Sequence, residues 1–210
     1  MENIIAKNLL EAQAVFLRPN DPFTWASGIK SPIYCDNRLI LSYPDKRNAV
    51  VEGFVALIKQ EYPNVEMIMG TATAGIPWAA MVADKLGLPM GYVRSSNKSH
   101  GKENKIEGKV EENTKVLIIE DLISTGGSVK DVVDSLRAAN TDVLGVVAIF
   151  TYLLPKATQL FQEMNCELKT LSNYDVLLEA ALELSYIKND DLKKLQAFKN
   201  NPNDSSWINE

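Results

Sequence analysis

The stretch from Val116 to Ser128, Val-Leu-Ile-Ile-Glu-Asp-Leu-Ile-Ser-Thr-Gly-Gly-Ser, restricts the fold of this chain more than any other. Its first four residues are apolar and mostly β-branched, a run too short for a helix and suited to a buried strand. Glu120 and Asp121 follow at once, where a parallel strand would reach the carboxyl edge of its sheet. Ser124-Thr125-Gly126-Gly127-Ser128 then makes a loop of small residues, and Val129, Val132, Val133 and Leu136 recur at helical spacing. Adjacent glycines let backbone N–H groups turn toward one point, and the helix start adds its positive dipole end. The pattern describes a monophosphate cradle with two acids beside it, matched to the phosphate and hydroxyls of a ribose 5-phosphate. A plain βα junction, with an Asp or Ser capping the helix, would show the same order of elements. The acidic pair at fixed distance from Thr-Gly-Gly-Ser favours the cradle. Neither a Gly-x4-Gly-Lys-Ser/Thr P-loop nor a Gly-x-Gly-x-x-Gly dinucleotide fingerprint occurs.

Around this segment, strand-like and helical patterns alternate. Helices are expected over 2–17, Asp45–Glu61, from about Pro77 to Gly87, from the glycine loop to Asn140, over 155–164 and over 174–199. Strands are expected at Val65–Met69, Pro89–Val93, Val116–Ile119 and Val143–Phe150, and a loose tail over 200–210. Alternation of this kind predicts an α/β fold, a parallel sheet with helices on both faces. Ligands of such sheets bind outside the carboxyl ends of the strands, where the polar loops 70–75, 94–109 and 120–128 fall. Residues 1–210 read as one domain. Residues 1–40 and the C-terminal helices could pack together as a small subdomain over the sheet edge.

Composition narrows the function classes. The chain has 210 residues and a net charge of −5, which gives no footprint for nucleic acid. No apolar run reaches membrane-span length, and the N-terminus lacks the basic and apolar regions of a signal peptide. Cys35 and Cys166 stand far apart, outside any metal-ligand spacing, so a reduced cytoplasmic protein is expected. The single histidine, His100, lies in the segment 94–109, which carries five Lys or Arg side chains against two acids. A long cationic segment between core strands suits a lid that closes on a polyanion, although charge runs are also common on solvated hairpins.

A second signature is Phe23-Thr-Trp-Ala-Ser27-Gly28-Ile29-Lys30-Ser31-Pro32-Ile-Tyr34-Cys35-Asp36-Asn37-Arg38, by composition a proline-bounded turn into a short strand. With the loop at 120–128 and Arg94-x3-Lys98-x-His100, it makes the chain resemble the orotate phosphoribosyltransferases along nearly its whole length. These are type I enzymes that use phosphoribosyl pyrophosphate (PRPP). The resemblance implies a phosphoribosyltransferase fold with an N- and C-terminal hood, and transfer of phosphoribose to orotate in pyrimidine synthesis. It implies that Arg94, Lys98 and His100 reach the pyrophosphate, with 94–109 as a mobile catalytic lid. Glu120, Asp121, Leu122, Ile123, Ser124, Thr125, Gly126, Gly127 and Ser128 would hold the ribose 5-phosphate, with Lys98 and Asp121 as catalytic residues. Ser124 would also touch orotate. Mg²⁺ would be held mainly through substrate oxygens, with no metal site on the protein itself. A homodimer is implied, each lid acting on the partner subunit. The chain departs from many members of the family in carrying Ala26, Ala74 and Ser95 at basic positions, and no arginine stands near Thr151–Leu154. A purine-base phosphoribosyltransferase would share the loop but not the Ser-Gly-Ile-Lys-Ser-Pro segment. A PRPP-sensing nucleic-acid-binding regulator would need a basic face or an added domain.

Overall fold

The computed structural model describes residues 1–25, 28–94 and 105–209. Its strands are β1 (Val15–Leu17), β2 (Phe23–Thr24), β3 (Lys30–Ser31), β4 (Ile33–Cys35), β5 (Met67–Thr71), β6 (Met90–Val93), β7 (Ile106–Glu107), β8 (Lys115–Ile123), β9 (Asp142–Thr151) and β10 (Leu168–Asn173). Its α-helices are α1 (Glu2–Glu11), α2 (Pro44–Glu61), α3 (Gly75–Leu86), α4 (Gly127–Ala138), α5 (Pro155–Glu163), α6 (Tyr174–Glu183) and α7 (Asp191–Asn200). Six strands form one sheet in the order β10-β9-β8-β5-β6-β7, parallel throughout except for the antiparallel edge strand β7. The expected parallel sheet is therefore present, with one reversed edge.

Alternation along β8 sorts its side chains into two cores. Leu117 and Ile119 pack with α1, α2, α3 and α6, whereas Val116 and Ile118 pack with α4 and α5. Burial on both faces is why this strand reads as a continuous apolar run. Helix boundaries follow local chemistry. Pro44 opens α2, Gly87 closes α3 at φ +67°, and the side chain of Asn173 caps α6 by accepting from the Asp175 and Val176 amides.

Several elements differ from expectation. The first helix stops at Glu11, and after Gln13 at φ +54° the chain turns into β1, which pairs antiparallel with β4. The expected helix over 174–199 is two helices, parted near Ser185 at φ +59°. β10 pairs with β9 as the sheet's far edge, where no strand was expected. The tail is anchored rather than loose: residues 206–209 form a 3-10 turn and Trp207 is buried against Phe198, centroids 5.8 Å apart. Finally, β8 runs on through Glu120 and Asp121 to Ile123, held by β9 through Leu122 opposite Phe150 and Ile123 opposite Thr151. The acidic pair is thus part of the strand rather than beyond it.

Candidate active site

The site forms where β8 outruns β5. The β5–β8 register ends with Gly70 opposite Ile119, whose carbonyl also accepts from Thr71 Oγ1 at 3.3 Å. The chain turns directly from β5 into α3, and that turn presses against β8. A Cβ on Gly75 would stand 2.4 Å from the Ile119 carbonyl and 2.5 Å from Thr71 Oγ1, so only glycine fits there. The peptide between Ala72 and Thr73 in this turn is cis.

Glu120 is buried beside this turn, and the Asp121 amide donates to its Oε1 at 2.8 Å. Burial first, then the hydrogen bond and charge of Asp121, push the Glu120 carboxyl up to about 8, against a smaller opposing effect of Thr71. The shift favours the protonated form of Glu120 relative to a free carboxyl group.

After Ile123 the loop turns through Gly126 at φ +81°, a left-handed conformation that a side chain would strain. Leu160 and Phe161 of α5 lie 3.2 and 3.3 Å from where its Cβ would be. Gly127 starts α4, and no side chain caps that helix, so its first N–H groups meet no side-chain acceptor. An uncapped N-terminus beside two acids at a strand end can take a phosphate and the hydroxyls of its sugar.

Next to the loop lies a cavity of about 300 Å³ lined by Thr24, Trp25, Tyr34, Cys35, Leu122, Ser124 and Tyr152. Trp25 is held by its indole N–H donating to the Ile33 carbonyl at 3.2 Å, and it packs on Tyr152 and Phe198 with centroids 5.4 and 5.8 Å away. Burial raises the Cys35 thiol and the Tyr152 phenol well above their ordinary values, so both stay protonated and neutral. Aromatic walls with a few hydroxyl and thiol groups suit a planar polar ring.

The structure brings Glu120, Asp121, Leu122, Ile123, Ser124, Thr125, Gly126, Gly127 and Ser128 to one strand end and loop, and puts Ser124 at the aromatic cavity. Arg94 follows β6, with Nε 3.1 Å from Glu107 Oε1 on β7. Lys98 and His100, and with them most of the expected lid, lie outside the described residues. The end of that segment is the edge strand β7 rather than loop. Trp25, Tyr34 and Cys35 lie within the second signature and Thr71 within the loop 70–75, but sequence reasoning assigned none of them an individual role, and Tyr152 was passed over.

The phosphoribosyl transferase domain model matches residues 46–172. An orotate phosphoribosyltransferase of Bacillus subtilis is 59% identical over 99% of this chain and 96% of its own length. The chain belongs to the orotate phosphoribosyltransferase family. A second relative of that name, from Enterococcus faecalis, is 58% identical over 94% of each chain. The crystal structure of orotate phosphoribosyltransferase from Aeropyrum pernix superposes with a TM-score of 0.76 at 28% identity, covering 88% of this chain and 99% of its own. The family shares this chain's α/β sheet and helix arrangement, as the sequence led one to expect.

Proposed function

We propose that this protein transfers the 5-phosphoribosyl group of PRPP to orotate, releasing pyrophosphate and forming orotidine 5′-monophosphate. The observation that carries this reading is the adjacency of the glycine-loop cradle and the aromatic cavity at Ser124, with the Glu120–Asp121 pair immediately before them on β8. The amides around Gly126 and Gly127 bind the 5-phosphate, and Glu120 and Asp121 orient the ribose hydroxyls. The base enters between Trp25, Tyr34 and Tyr152, with Ser124 as one of its hydrogen-bond partners. As the bond from C1 to pyrophosphate breaks, positive charge grows on the sugar ring close to the Asp121 carboxylate. Arg94, Lys98 and His100 take up the negative charge of the leaving group, and closure of the 94–109 segment excludes water. The N-terminal 40 residues and the C-terminal helices form the hood that roofs the base, an arrangement supported by the edge-to-face packing of Trp25 with Phe198 and of Phe198 with Trp207.

Among the described residues, no three His, Cys, Asp or Glu side chains lie close enough to cage a metal. Two adjacent carboxyl groups at the end of β8, with no third metal-ligating side chain clustered beside them among the described residues, fit an Mg²⁺ carried in mainly on substrate oxygens. Such an ion supplies charge neutralisation of the pyrophosphate when bound. The two cysteines without a disulfide suit a cytoplasmic setting, and no helix of the described residues is long and apolar enough to cross a membrane.

The test is PRPP-dependent loss of orotate with Mg²⁺ present, run beside uracil, adenine and hypoxanthine. Strong preference for orotate is expected, because a site with buried donors for the carboxylate rejects bases that leave them unpaired. Comparable turnover of a purine base would transfer the assignment to the purine branch.

A further inference from the structure

The 3-10 turn that follows β4 aims one buried amide at the backbone of Asp121 on β8. Asn37 is fully buried, its Nδ2 donates to the Asp121 carbonyl at 2.7 Å, and its Oδ1 accepts from Cys35 Sγ at 3.1 Å. Each neighbour has a separate task. Asp36 clamps Arg38 through two bonds of 2.6 and 2.8 Å and also accepts from the Arg38 amide, which shapes the 3-10 turn over Asn37–Ser42. The amide orientation is dictated by its partners, since the reverse would set Oδ1 against a carbonyl oxygen.

The bond falls where the sheet has no strand to offer. Ile119 turns its carbonyl toward β5, and backbone groups alternate along a strand, so Asp121 two residues on turns its carbonyl to the same edge. The β5 register has ended by then, and the β8–β9 register passes over Asp121 between Glu120 and Leu122. A partly buried carbonyl left without a strand partner is satisfied by another donor. Asn37 supplies it from 84 residues away in the chain, while the Asp121 amide is taken by the Glu120 side chain. Both backbone groups of Asp121 are thus fixed by side chains.

We propose that Asn37 is a positioning residue for PRPP: it stands in for the missing strand, fixes the backbone from which the Asp121 carboxylate reaches the ribose, and links that acid to the Cys35 wall of the base cavity. This rests on the reading of Asp121 as a ribose ligand. Asn37 lies within the Phe23–Arg38 signature, but the resemblance gives it no role.

The test measures binding of PRPP with Mg²⁺ by calorimetry, which needs no base. Asn37→Leu keeps the shape of the side chain without a donor or a charge, and Asn37→Ala removes both shape and donor. Both are expected to weaken PRPP binding about tenfold while thermal unfolding stays cooperative, and Asn37→Leu to be no better than Asn37→Ala. In an Asp121→Asn background the same changes should cost less than about twofold, because the residue acts through Asp121. Wild-type affinity in Asn37→Leu, or equal losses in both backgrounds, would reduce Asn37 to a packing residue and overturn the proposal. Wild-type protein that binds PRPP but ignores orotate would overturn the orotate assignment instead, leaving the role of Asn37 to stand on the binding data.

Discussion

Asp121 and Glu120 are neighbours with different tasks, and substitution separates them. Asp121→Asn preserves size and removes charge, so turnover should fall at least about tenfold with the melting temperature unchanged. Unchanged turnover together with a lowered melting temperature would instead make Asp121 a structural residue. Glu120 carries a pH signature. Its carboxyl is raised from 4.5 to about 8, chiefly by burial. Between those values the folded protein keeps a proton that the unfolded chain has released, so this residue makes stability fall as pH rises through that window and level off above it. Glu120→Gln removes the penalty. The variant should gain on the wild type between pH 5 and pH 9 by an amount on the order of a few kcal/mol, read from urea unfolding at each pH. A stability difference that is flat with pH would show that Glu120 is ionised in the fold at neutral pH.

At the scale of elements, the two glycines of the loop make unlike demands. Gly126 is left-handed and tightly packed, whereas a Cβ on Gly127 would meet nothing within 4 Å. Gly126→Ala should cost about 1–2 kcal/mol, or roughly 2–8 °C in melting temperature, and Gly127→Ala about a degree or less. Equal costs would mean that the left-handed turn is not what requires glycine. The phosphate loop was legible because all its parts are consecutive. The parallel sheet was legible too, since β5, β8 and β9 are apolar runs buried on both faces. What escaped is set by partners far along the chain. β8 continues through two acids because β9 holds it, and a polar pair reads locally as a strand's end. β10 reads Leu-Lys-Thr-Leu-Ser-Asn, too polar to declare itself, and is a strand because β9 offers it an edge. β1 exists only through β4, and the split between α6 and α7 lies at a serine with positive φ that no local motif announces. The base cavity gathers Trp25 from just after β2, Tyr34 and Cys35 from β4 and Tyr152 from just after β9, and no spacing encodes that meeting.

At the scale of the whole molecule, the cradle and the aromatic cavity lie on one chain, while the cationic residues that would meet the pyrophosphate come from the 94–109 segment. We propose a two-fold dimer in which that segment serves the partner's site. Its length and charge suit a reach beyond its own sheet edge, and an isologous pair presents each such segment to the other subunit. Lys98→Ala and Asp121→Asn chains should each be inactive alone. Mixed under conditions where subunits exchange, about half the dimers become hybrids. In a hybrid, the chain with intact Asp121 receives an intact Lys98 from its partner, so one of the two sites is repaired. The mixture should then recover roughly a quarter of wild-type activity. A segment acting on its own subunit places both lesions in separate dead sites, and no mixture can recover. Exchange is verified independently, by mass-tagged subunits. With exchange complete and the mixture still inactive, each site would be built from one chain alone.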